Sequence, residues 1–246
     1  MEYLTTEEIR SNRNLKDKLK TFTGPAVASN FCASVVFNYK TSFFGDNNDV
    51  SILDCGTANG DFIRQLVRDV GIKNVYALDI DDYVSNENRR FLKDFKIVDL
   101  NYDKIPYHDS FFDIVTAWCL LPHMENPHNF IREAYRALKD GGLFIFTLVN
   151  TESFLIRRYF YEHGEMPGFH DKNNHIALFT PAIFKKTILK YFKFVGKDYF
   201  VNQGIFAGAK GKARRFVLNL ASLFGHGLDN RLKKRWGSKI VYILRK

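Results

Sequence analysis

The stretch Ile52-Leu53-Asp54-Cys55-Gly56-Thr57-Ala58-Asn59-Gly60 decides how the rest of this chain is read. Val50–Cys55 is a short apolar run of strand length, and Asp61–Val70 continues with helical spacing. A strand, a loop of small residues and a helix, in that order, are the opening unit of a doubly wound α/β sheet. In such a sheet ligands bind outside the carboxyl ends of the strands, where the strand order reverses. Small residues let the backbone approach a ligand closely, and the helix start offers free N–H groups to a carboxylate. The spacing excludes two common ligands. A P-loop ends in Gly-Lys-Ser/Thr, which is missing, and a dinucleotide fingerprint needs G-x-G-x-x-G where this chain has G-x-A-x-G.

Working outward, strands are expected at Asn74–Asp79, Lys96–Val98, Phe112–Trp118 and Gly142–Val149. Helices are expected at Ser85–Lys93, with Ser85 as cap, and at Pro127–Leu138, with Pro127 in the first turn and Gly141-Gly142 as the stop. Strands alternating with helices of this length imply a parallel sheet covered on both faces. On the amino side, residues 4–20 read as a helix with Thr5 and Glu8 spaced as a capping box. Residues 26–43 read as a second helix, ending before the loop Gly45-Asp46-Asn47-Asn48. Beyond Asn150 the rhythm loosens into an excursion over 151–178. Thr180-Pro181 then opens a helix to Tyr191, Phe194–Val201 and Lys239–Leu244 read as strands, and Arg214–Phe224 has helical spacing. The 246 residues are therefore expected to form a single domain. Residues 1–48 would be an N-terminal helical lid, 49–150 a cofactor-binding core, and 151–178 and 202–238 insertions on the substrate side.

Composition narrows the setting. The three cysteines, Cys32, Cys55 and Cys119, are odd in number and widely spaced, so neither a disulfide framework nor a zinc site follows, and a reducing, cytoplasmic compartment is the simplest expectation. The first ten residues, MEYLTTEEIR, do not form a signal peptide, and no apolar run is long enough to span a membrane. The net charge of +9 is concentrated at one end: residues 210–246 sum to +10 and residues 1–209 to −1. Such an end fits either a solvated surface or contact with something anionic.

The acid followed by G-x-A-x-G resembles the first motif of class I S-adenosylmethionine-dependent methyltransferases, commonly an acid followed by G-x-G-x-G. Asp54, Gly56 and Gly60 match, and Ala58 replaces the middle glycine. Further stretches fall in the family's order. Val75-Tyr76-Ala77-Leu78-Asp79 is an apolar strand ending in an acid 23 residues after Gly56, where a carboxylate can take both ribose hydroxyls. Ile97-Val98-Asp99-Leu100 resembles the element whose acid meets the adenine amino group. Ile105 to Val115 resembles the family's L-P-F-x-D-x-S-F-D-x-V, with Asp113 structural, and Arg132 to Gly142 its R-E-x-x-R-V-L-K-P-G-G. Closely matched residues cover about 50–150. The resemblance implies a Rossmann-like doubly wound sheet of seven strands, mostly parallel with an antiparallel last strand, and helices on both faces. It implies S-adenosyl-L-methionine as cofactor, leaving as S-adenosyl-L-homocysteine, and assigns its binding to Asp54, Gly56, Thr57, Ala58, Gly60, Asp79, Ile80, Asp99, Leu100 and Trp118. Three of these have open alternatives: Asp79 as a helix cap or solvated turn, Asp99 as a turn residue, and Trp118 as a packing residue.

A methyl on a sulfonium is already an activated electrophile, so the enzyme chiefly has to hold a nucleophile in line and exclude water. A hydroxyl acceptor gains from a base, and His123, following the fourth strand, is the candidate; the alternative is a histidine bonded to backbone. His163, His170 and His175 share the 151–178 excursion with acids, but their spacing matches no metal site, so no metal is expected. Tyr161, His170 and His175 are candidates to touch substrate. HIALFTPAIFKKTILKYFKF, residues 175–194, resembles the H-x-x-x-F-T-P helix of small-molecule and sugar methyltransferases. The acceptor expected is a hydroxyl, or another nucleophile, on a small molecule, sugar or lipid-linked compound. The basic 210–236 stretch would allow peripheral contact with an anionic membrane surface. The alternatives are a nucleic-acid methyltransferase using that basic end, weakened by Cys119-Leu120-Leu121-Pro122 standing where N/D-P-P-Y/F would be, and a non-catalytic module that binds the cofactor.

Overall fold

A computed structural model describes residues 25–169, 171, 174–201, 213, 217 and 226–246, together with residue 7. The expected helices at 4–20 and 214–224, the Thr5/Glu8 box and His170 lie outside the described residues.

Seven strands form one sheet: β1 (Ser51–Cys55), β2 (Asn74–Asp79), β3 (Asp94–Ile97), β4 (Phe112–Ala117), β5 (Leu138–Val149), β6 (Lys193–Phe200) and β7 (Lys239–Arg245). Their order is β3-β2-β1-β4-β5-β7-β6. Neighbours from β3 to β5 pair in parallel, and β7 runs antiparallel to both β5 and β6. This is the sheet that the resemblance implies, and its order reverses between β1 and β4. The loops leaving those two strands share one crevice.

Successive strand residues enter opposite cores, as the period of two requires. Ile52, Ile114, Ile145 and Val241 join one buried cluster, while Leu53, Val115, Phe144, Phe146 and Tyr242 join the other. The first cluster is covered by α1 (Pro25–Phe44) and α2 (Asp61–Arg68), the second by α4 (Pro127–Ala137) and α6 (Pro181–Thr187). A strand buried on both faces reads as a continuous apolar run, which is why these strands are visible in the sequence. Over residues 25–44 the expected lid is a wall of the core: Val35 and Val36 on α1 are buried against the sheet.

Three local expectations are corrected. Gly141-Gly142 does not stop α4. The helix ends at Ala137, β5 begins at Leu138, and Gly141, at φ 82°, serves an irregularity where the β4–β5 register shifts. The helix expected at Ser85–Lys93 is only the short α3 (Asn86–Arg89), because Phe91 and Leu92 turn back on tighter hydrogen bonds to Asn88 and Arg89 and pack against the core. The edge strand β3 lies two residues earlier than expected. The caps were legible: the Ser85 and Thr180 hydroxyls each accept an N–H three residues on, from Asn88 and Ile183.

Candidate active site

The crevice is built from the loops after β1, β2 and β4. Gly56, Ala58 and Gly60 all take left-handed backbone conformations, at φ 76°, 56° and 84°. A side chain at Gly56 would meet Leu120 Cδ1 of the β4 loop at 3.1 Å, and one at Gly60 would meet Asn88 Cβ at 2.9 Å. The loop therefore stays open to a ligand only because its flanks are glycine. Asp79 closes the arrangement. Its buried carboxylate accepts the Ala58 N–H and the Ile80 N–H, each at 2.8 Å, tying the end of β2 to the β1 loop.

Asp54 and Thr116 face each other in the β1–β4 register, and the Thr116 hydroxyl donates to Asp54 at 2.7 Å. Burial raises the Asp54 carboxyl to about 7 despite the hydrogen bond from Thr116, and the nearby Asp79 adds to the rise. Trp118 packs edge-on against Phe62 of α2, with centroids 5.4 Å apart, and its indole N–H is buried without a hydrogen-bond partner. Asp99 accepts the backbone and side-chain N–H groups of Asn101, both at 3.0 Å, so it works as a turn residue as well as a candidate ligand contact. Leu100 is a buried core residue.

The donor set fits S-adenosyl-L-methionine. A carboxylate oxygen accepts more than one bond, so Asp79 suits a ribose diol while it holds the loop. An unsatisfied buried indole N–H in the β4 loop is a costly feature unless something polar meets it. Asp54, Gly56, Thr57, Ala58, Gly60, Asp79 and Trp118 lie around one crevice.

On the acceptor side, the turn Leu121–His123 after β4 meets the 174–177 segment. The Pro122 carbonyl accepts the N–H groups of Ile176 and Ala177 at 2.8 and 3.1 Å. His123 Nδ1 lies 2.7 Å from the Asn174 amide oxygen, so Nδ1 carries the proton and Nε2 presents a lone pair. That nitrogen is 3.1 Å from His175 Nε2, with the rings 4.3 Å apart. The two histidines, singled out separately in the sequence, thus form one pair. Tyr161 is not brought to it: it stands 90% exposed on α5 (Phe154–His163). His163 is likewise apart, stacked on Tyr159. Among the described residues no group of three or more His, Cys, Asp or Glu side chains is placed to hold a metal ion.

Sequence reasoning missed Asn174, Thr116 and Lys239. Thr116 is the one polar residue in an otherwise apolar strand end, a readable signal. Lys239 lies at the start of β7, 2.6 Å from Cys119 Sγ, and nothing in its own stretch marks it.

Comparison with known proteins agrees with this geometry. Residues 53–146 match the methyltransferase domain family. A sarcosine/dimethylglycine N-methyltransferase of Halorhodospira halochloris is 32% identical over 105 residues, 40% of this chain and 37% of that protein. A ubiquinone/menaquinone biosynthesis C-methyltransferase of Vibrio vulnificus is 33% identical over 98 residues, 37% of this chain and 38% of its own length. The chain thus spans well under half of the relatives it matches. A putative sarcosine dimethylglycine methyltransferase from Galdieria sulphuraria shares the fold, with a TM-score of 0.58 over 96% of this chain and 98% of that one at 14% identity.

Proposed function

We propose, from the premise that this chain belongs to the class I S-adenosylmethionine-dependent methyltransferase family, that it moves a methyl group to a hydroxyl of a small-molecule, sugar or lipid-linked acceptor. The observation that carries the cofactor half is the Asp79 carboxylate bound to the Ala58 and Ile80 N–H groups at the strand-order reversal. When bound, the cofactor supplies a methyl on a sulfonium. Asp79 would hold the ribose, the glycine-flanked loop would admit the amino-acid part, and the Trp118 indole N–H would offer a donor.

The acceptor half rests on His123 and His175. The proton on His123 Nδ1 is held by Asn174, so the basic nitrogen is Nε2, turned toward His175 Nε2. At 3.1 Å one Nε2 donates to the other, so the neutral rings already share a proton; one more, taken from a hydroxyl, makes the pair a single cation, and a further one would place two cations in contact. The pair therefore serves as a sink for a single proton leaving a hydroxyl, a role worth roughly 10²–10⁴-fold in rate. The relatives that methylate nitrogen and carbon support a small-molecule acceptor in general and leave the hydroxyl as this chain's own reading.

Methyl-labelled cofactor incubated with fractionated lipid, polar-metabolite and nucleic-acid extracts tests the proposal. Label in a lipid or polar small molecule is expected, reduced at least about 100-fold in His123→Ala with cofactor affinity unchanged. Label in nucleic acid, or cofactor bound with no label transferred to any fraction, would replace the proposal by one of its two rivals.

A further inference from the structure

We propose that α5 and α7 (His226–Trp236) form a docking face for an anionic phospholipid surface, beside the crevice end of the sheet. The inference deepens the lipid-linked branch of the proposed function and rests on that reading for its purpose, but not for its geometry.

Helix α5 turns Ile156 into the protein, where it is buried. The opposite face carries Phe154, Arg157, Arg158 and Tyr161, spaced i, i+3, i+4, i+7. The outer face of a surface helix is ordinarily polar. Here Phe154 is about half exposed and Tyr161 almost wholly so, with the two arginines between them exposed. The Arg235 guanidinium of α7 lies 5.0 Å over the Phe154 ring, continuing the same mixture of aromatic and basic groups.

The two helices are joined by buried polar side chains. Asn150 Nδ2 donates to the Lys234 and Gly237 carbonyls at 2.8 and 2.9 Å, and the Ser153 hydroxyl donates to the Arg235 carbonyl at 3.1 Å. Neither Asn150 nor Ser153 is solvent-accessible. The start of α5 is therefore fixed to the end of α7, and both sit where β5 ends and β7 begins.

The charge is one-sided. Residues 226–236 carry Arg231, Lys233, Lys234 and Arg235 against Asp229, and residues 154–163 carry Arg157 and Arg158 against Glu162. Glu162 pairs with Arg158 and Glu152 with Lys234, each at 2.7 Å, so those pairs are neutral and the positive excess comes from the other basic side chains. An anionic membrane answers both halves of this surface: basic groups meet its headgroups, while aromatic rings gain by leaving water for the acyl boundary. A single-stranded nucleic acid would need free ring faces on which to stack its bases, and the Phe154 face is already covered by the Arg235 guanidinium. No helix among the described residues is long and apolar enough to cross a membrane, so the contact is peripheral.

Co-sedimentation of the full chain with phosphatidylcholine vesicles, with and without about one third phosphatidylglycerol, tests the face. Binding is expected only with the anionic lipid and lost at high salt. Arg157→Glu/Arg158→Glu should weaken it at least about 25-fold, taking about fivefold per basic group. Phe154→Ser/Tyr161→Ser should weaken it about tenfold or more. Both variants should keep the wild-type affinity for S-adenosylhomocysteine, which shows that they are folded. Absence of wild-type binding to the anionic vesicles overturns the proposal. So does binding that the aromatic changes leave unaltered, which would mark the face as a general polyanion site, and so does single-stranded RNA that displaces the chain from the vesicles. Neither vesicle outcome touches the methyl-transfer reading, because the assay uses no acceptor and no turnover.

Discussion

Ala58 stands at φ 56° in the loop between two glycines that share the left-handed region. For an L-residue with a Cβ that conformation costs about 1–2 kcal/mol, while glycine would give back about 0.4–1 kcal/mol through the unfolded chain. Ala58→Gly is therefore expected to raise stability by about 0.5–1 kcal/mol in urea unfolding, keeping the N–H that Asp79 accepts. Asp54 gives a second expectation at this scale. Its carboxyl is raised to about 7 by burial, so between its unfolded value near 4 and about 7 the unfolded chain releases a proton that the folded chain keeps. Stability should fall across that window, by up to about 1.4 kcal/mol per pH unit, and level off above it. The fall should flatten in Asp54→Asn when melting temperature is followed against pH. A slope that the substitution leaves unchanged would assign it to other groups.

At the scale of elements, α4 anchors the loop before β4 through one side chain. Arg136 donates to both Glu133 oxygens, to Asp109, and to the Ile105 and Tyr107 carbonyls, while Glu133 accepts the Ile105 N–H. The mutual attraction raises the guanidinium further and lowers the Glu133 carboxyl. Arg136→Ala leaves the Glu133 carboxylate only the Ile105 N–H and takes a donor from the Ile105 and Tyr107 carbonyls, and should cost about 2–4 kcal/mol in denaturant unfolding. This motif was visible in the sequence as a resemblance, but its work was not. The same holds for Asp113, which accepts the Ser51 N–H at 2.8 Å and the Lys139 ammonium at 2.9 Å, locking β1, β4 and β5 at their starts. Strands and caps were legible because double-sided burial and local hydrogen bonds leave marks over a few residues. The end of α4 was not, because Gly141 supplies a left-handed turn equally well to a helix stop and to an irregular strand. The His123–His175 pair could not be read either: 52 residues separate the two rings, and it is the Pro122 carbonyl holding the 176–177 backbone, with Asn174 on His123, that brings them together.

For the whole molecule, the residues proposed to hold the cofactor lie within the part that matches the family, and those proposed to face the acceptor lie mostly outside it. Residues 53–146 hold the loop, Asp79, Asp99, Trp118 and His123, whereas His175, Lys239 and the aromatic, basic helices come from the rest of the chain. The division has an electrostatic counterpart, since residues 1–209 are close to neutral and the excess positive charge lies beyond them. Salt should therefore leave cofactor affinity nearly unchanged while it weakens contact with anionic partners. The central claim, that the Asp79-closed loop holds S-adenosylmethionine, is tested most directly by calorimetric titration of the cofactor into the wild type and Asp79→Ala. The account predicts a dissociation constant in the range of roughly 1 μM to 1 mM for the wild type and a loss of at least about tenfold in the variant. Absence of binding at millimolar cofactor, or equal affinity in the two proteins, would contradict it.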